Sequence, residues 1–162
     1  MRYYDLKAKE ASLDAKLKVE YFVCAMAMGD YPTLEAAKAH LATLGKISPD
    51  QQAAVDEQFL NLEVNEIAKP VHENRDRSQD MVLRAAAGEK FAEMHKKGRV
   101  PKPDHLFGEF YSDIMAHAEV SKNIPLFEES IKLLEERFPK ATGFFEQKRK
   151  VLDRLKEEKE SK

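Results

Sequence analysis

At 162 residues the chain matches the usual size of one domain and would be cramped as two. Its 43% hydrophobic content suffices for a core, and its 35% charged content suits helices with solvated outer faces. The 27 Lys and Arg nearly balance the 29 Asp and Glu, so no global field draws the chain to nucleic acid or an anionic membrane; the single cysteine, Cys24, excludes an internal disulfide.

Met1 to Glu10 lacks the apolar run of a secretory signal, and the longest apolar run, Tyr21 to Met28, is too short to span a bilayer. A soluble, cytoplasmic chain with no membrane partner is therefore expected. Sustained period-2 alternation and Asn-Gly or Asp-Gly turns are missing, whereas helical spacing recurs throughout. From about Asp5 to Met28, the stripe Leu13, Leu17, Tyr21, Cys24 and Met28 predicts one helix, ended by Gly29, whose part from Tyr21 to Met28 is apolar all round and so is expected to be buried centrally or to bind something apolar. Cys24 then lies in the most apolar stretch, where burial would make its thiol unreactive.

Thr33 reads as the cap of a short helix carrying Leu34, Ala37, Leu41 and Leu44 on its inner side, ended by Gly45. Ser48-Pro49-Asp50-Gln51 has the form of a capping box with proline at the first helical position. That helix is expected to reach about Ala68, where Pro70 stops it, with Val55, Phe59 and Leu62 inward and Glu66 at the solvated edge. Beyond the polar stretch 71–77, the stripe Met81, Ala85, Gly88, Ala92 and His95 predicts a helix over 78–97 whose small residues allow close approach.

Gly98 and a stiff connector, Arg99 to Pro103, lead to a helix capped by Asp104 and running to about Glu119. Asn123 caps another, to Phe138, and Pro139 stops it. The last helix starts near Thr142, buries Phe144, Phe145, Val151, Leu152 and Leu155, and frays in a charged tail from about 157. The result is an all-α chain, a single domain over 1–162 of about seven antiparallel helices, either stacked hairpins or a closed bundle.

A spacing recurs along this chain. Tyr111-x-x-Ile114, then Phe127-x-x-x-Ile131-x-x-Leu134, then Pro139, resembles the tetratricopeptide repeat of roughly 34 residues. Tyr21-x-x-Cys24-Ala25-x-x-Met28, then Ala37-x-x-x-Leu41-x-x-Leu44, then Pro49, falls on the same spacing. The likeness covers about 18–51 and 108–141. Met115, Ala118 and Phe127 depart from it, standing where the repeat usually carries glycine, tyrosine and a small residue. The resemblance implies a scaffold that binds a protein or extended peptide on a face lined by Val19, Phe22 and Met26 and by Glu109, Ser112, Ala116 and Glu119. For Phe22 and Met26 plain core is the simpler reading, and for Glu109 and Glu119 a solvated acidic surface.

Catalytic constellations are sparse. Glu109, Asp113 and His117 fall at i, i+4 and i+8 on one helical face and form a metal-binding alternative if a second helix adds His95 or Glu93. The same triple reads more simply as an exposed face, since the residues three before His95 and His117 are Ala92 and Ile114, not the Glu of a di-iron bundle. The run Lys96-Lys97-Gly98-Arg99-Val100-Pro101-Lys102-Pro103 concentrates cations without interleaved aromatics, so a solvated loop is preferred over a nucleic-acid accessory role. The reading that results is a non-enzymatic interaction module that needs no cofactor and binds a protein or peptide, a second copy of itself included.

Overall fold

In the computed structural model, which describes residues 3–9 and 13–161, every regular element among those residues is a helix. In order these are α1 (Tyr3–Ala8), α2 (Ala15–Ala27), α3 (Leu34–Leu41), α4 (Pro49–His72), α5 (Asp80–Lys96), α6 (Asp104–Val120), α7 (Ile124–Arg137) and α8 (Thr142–Glu160), with one 3-10 turn at Arg77–Gln79. Length suggests one domain over 1–162. Within that span the chain gathers into two compact units, Met1–Glu66 and Ile67–Lys162.

The first unit is organised around Phe22. Its ring meets Tyr31, His40 and Phe59 edge-on, with centroids 5.2 to 6.4 Å apart, a geometry that aromatic quadrupoles favour. Val19, Ala25, Met26, Ala37 and Val55 complete the buried core, and Tyr4 packs on Tyr21. Local signals set the helix ends. The Thr33 hydroxyl accepts from the Ala36 amide at 3.1 Å. The Ser48 box closes both ways, Ser48 N–H donating to Gln51 Oε1 and Gln51 N–H to Ser48 Oγ. Glu66, at the solvated edge as expected, accepts from the Leu34 amide at 2.6 Å, placing a carboxylate on the positive end of α3.

Two expectations fail in this unit, each for a physical reason. The continuous helix over Asp5 to Met28 is interrupted: Asp14 takes an extended conformation and its carboxylate accepts from the amides of Lys16 and Leu17, so α2 starts afresh at Ala15. The burial expected of Cys24 also fails. Val19, Phe22, Ala25 and Met26 are buried, whereas Leu17, Cys24 and Met28 are exposed. At the far end of α2, Gly29 at φ +72° lets its own amide reach Met26 O and the Asp30 amide reach Ala25 O.

Helix α4 does not stop at Ala68 but passes through Pro70 to His72. Proline removes one backbone bond, and so near the end the helix tolerates the loss, with Glu73 N–H still donating to Lys69 O at 2.9 Å.

In the second unit, successive helices run antiparallel. Phe91 meets Phe110, with ring centroids 4.8 Å apart, and Gly88 meets Asp113 between α5 and α6. Arg137 pairs with Asp104 between α7 and α6, and Arg149 with Glu135 between α8 and α7. Phe91, Phe110, Ile114, Met115, Phe127 and Phe145 fill the core. Asn123 caps α7 through the Leu126 amide, as expected, whereas Asp104 does not cap α6, which begins on Pro103 with no side-chain cap. Phe144, expected inside, is exposed, and α8 continues regularly to Glu160 instead of fraying from about 157. No helix among the described residues is long and apolar enough to cross a membrane.

Candidate functional site

The first feature is the outer face of α2. Leu17, Tyr21, Cys24 and Met28 recur at spacings of four, three and four, which aligns them along one side of the helix. Leu17 is 39% exposed, Met28 58%, and Cys24 is open to solvent, with Tyr21 half-buried between them. The opposite side already fills the core, so α2 is apolar on both sides; on the outer side Tyr21 meets Tyr4 of α1, while Leu17, Cys24 and Met28 keep surface open to solvent. The stripe extends for about three helical turns, roughly 16 Å.

The second feature is a polar cluster in the α5–α6 seam. Asp113 is 0% exposed, and neither carboxyl oxygen has a hydrogen-bond partner among the described residues. Arg84 Nη1 stands 3.7 Å from Oδ1, while Arg84 Nε stands 3.6 Å from Asp80 Oδ2, so one guanidinium is shared at arm's length between two carboxylates. Burial pushes the Asp113 carboxyl up to about 7; Arg84 and His72 pull it down, and Glu109 and Asp80 push it up. One turn earlier, Glu109 accepts a hydrogen bond from His72 Nε2 at the end of α4.

A third group links three helices. Tyr111 O–H donates to His95 Nδ1 at 3.0 Å, and His95 Nε2–H faces Glu129 Oε1 at 3.3 Å. The Glu129 bond fixes the tautomer that leaves Nδ1 free to accept. Burial, then the Glu129 charge, pushes the Tyr111 hydroxyl up to about 12. A phenol held neutral this firmly is a tether between α5, α6 and α7 and a poor nucleophile.

The residues expected to bind a partner are redistributed. Val19, Phe22 and Met26 are buried in the core of the first unit, where Tyr31, His40 and Phe59 close over the Phe22 ring. In the second unit Ala116 is buried, Glu109 is engaged by His72, Glu119 accepts from Arg154 at 2.7 Å, and Ser112 is half-buried. The simpler core reading of Phe22 and Met26 describes what is seen.

Glu109, Asp113 and His117 share a helix but not a binding point. Asp113 is sealed in the seam, and Glu109 is turned to His72. Among the described residues no three His, Cys, Asp or Glu side chains come together as a metal site. The basic run is partly spent within the chain, Lys96 pairing with Glu93 at 2.7 Å. The reach of Arg84 past Asp80 to Asp113 has no local signal in the sequence; the nearest is the small-residue stripe through Gly88, which brings the two helices close. Comparison with protein-family models, with curated proteins and with solved structures finds no match to this chain.

Proposed function

We propose that this chain is a helical interaction module whose docking surface is the outer face of α2, and that it binds a protein partner through an amphipathic helix laid along Leu17, Tyr21, Cys24 and Met28. The observation that carries this reading is the doubly apolar character of α2. One apolar side is seated in the core, and on the other Leu17 and Met28 still carry exposed apolar surface whose burial is worth a fraction of the roughly 1.5–3 kcal/mol gained by fully burying such a side chain. Anchors at such spacings are what a helix-in-groove contact reads. Lys16 and Glu20, paired with each other at 4.0 Å and exposed, form a polar rim beside the stripe.

The likeness to tetratricopeptide hairpins belongs to the same reading. What supports it is the α6–α7 hairpin, where Tyr111, Ile114, Phe127, Ile131 and Leu134 are all buried at the spaced positions. The 18–51 stretch supports it less, since Cys24 and Met28 face outward.

Capture from a lysate of the native host tests the proposal, with the intact chain as bait beside a Leu17→Glu/Met28→Glu variant. The module reading expects a protein retained by the first and lost by the second, with equal thermal stability. Identical captures by both baits would reject the α2 face.

A further inference from the structure

The α5–α6 seam combines features that a static core would avoid. A fully buried carboxyl has no hydrogen-bond partner among the described residues, and the cation that would neutralise it is held midway toward a second, exposed carboxylate. Ordinary hydrogen-bond contact needs about 3 Å, so at 3.6 and 3.7 Å the Arg84 guanidinium is committed to neither partner. The helices cannot slide to relieve this, because Gly88 rests directly on the Asp113 backbone.

We propose that Asp113 is a protonation-controlled latch: as the neutral acid it keeps the α5–α6 seam shut, and as the carboxylate it draws Arg84 away from Asp80 and loosens the first turn of α5. The chemistry is a single proton released to solvent. Unpaired buried charge is far more costly than an unpaired buried acid, so ionisation must either recruit the guanidinium or open the seam. Both routes act on the same turn, where Arg84 and Asp80 are one i,i+4 pair. The ionisable groups acting on Asp113 are Arg84 and Asp80 from α5, His72 from the end of α4, and Glu109 from its own helix, with His117 one turn further on. Arg84 and His72 favour the carboxylate; Glu109 and Asp80 oppose it. The turn that loosens carries Met81 and Val82, both exposed.

Carbon-13 NMR of the Asp113 carboxyl, with amide hydrogen exchange at pH 6 and 8, tests the latch on the full chain. The carboxyl should titrate in the neutral range. Once intrinsic exchange rates are divided out, the amides of Arg84 to Gly88 should lose at least tenfold protection between pH 6 and 8, and Asp113→Asn should abolish that difference. Arg84→Gln gives an independent reading if the Asn variant folds poorly, since loss of the cation should raise the Asp113 titration by a pH unit or more. Titration of Asp113 below pH 5, the same protection change in wild type and Asp113→Asn, or no response to Arg84→Gln would each overturn the latch.

Discussion

Gly88 and Asp113 are in backbone contact across the α5–α6 seam: a Cβ placed on Gly88 would stand 1.9 Å from the Asp113 carbonyl oxygen and 2.9 Å from His117 Cβ. Neither neighbour is the tip of a flexible side chain, so an added methyl must push the helices apart. Gly88→Ala is therefore predicted to destabilise the second unit by about 3 kcal/mol, overpacking outweighing the gain of about 1 kcal/mol in helix propensity. Gly143, with nothing within 4 Å of its notional Cβ, is the control. Gly143→Ala should gain about 0.5 kcal/mol or be neutral. Urea unfolding of the two variants checks both signs.

Asp113 imposes a pH dependence whose sign follows from its environment. The folded chain holds this proton up to about pH 7, whereas the unfolded carboxyl releases it near 3.8. The folded state thus binds more protons across that window, and stability falls as pH rises from about 4 to about 7, then levels. The loss amounts to about 4 kcal/mol if the carboxylate finds no relief, and less where Arg84 supplies it. Asp113→Asn should flatten the profile, making the variant the more stable protein at pH 8 but not at pH 4, as read from denaturant midpoints across that range.

Tyr111 should resist ionisation well above the ordinary range of a phenol. With its hydroxyl pushed to about 12, its proton is retained by the folded chain between pH 10 and 12, so stability declines as pH rises through that interval. Absorbance at the phenolate band should show a component that titrates near pH 12 and is lost in Tyr111→Phe. The substitution should cost about 1 kcal/mol, the worth of the hydrogen bond to His95.

The two sides of α2 predict opposite mutational behaviour. Phe22→Ala removes the ring at the centre of the first unit and should cost about 3–5 kcal/mol. Leu17→Glu and Met28→Glu, on the outer side, should each change stability by no more than about 0.5 kcal/mol. Thermal melts of the three variants separate the faces without knowledge of any partner.

Where structure followed local chemistry, the sequence was legible. The caps at Thr33, Ser48 and Asn123 depend on residues within three positions of each other, and all three form as read. The face of α2 was not legible for a reason specific to that helix. Its apolar residues cover both sides, so the stripe through Leu17 and Cys24 and the one through Val19 and Phe22 fit the helical period equally well, and only distant Tyr31, His40 and Phe59 decide between them. Asp113 was obscured in a similar way: at i+4 from Glu109 it looks like part of a solvated face, and its burial depends on Gly88 bringing α5 against it. Glycine spacing predicted the close approach but not which acid it would enclose.

Cys24 stands in the middle of the α2 stripe and is the chain's only cysteine, so its reactivity toward a disulfide reagent at dilute protein concentration interrogates the proposed docking face at one atom. The account predicts one thiol modified per native chain, without denaturant, at a rate within about tenfold of a free small thiol. A thiol that stays protected until the chain unfolds would place the stripe inside the molecule and contradict it.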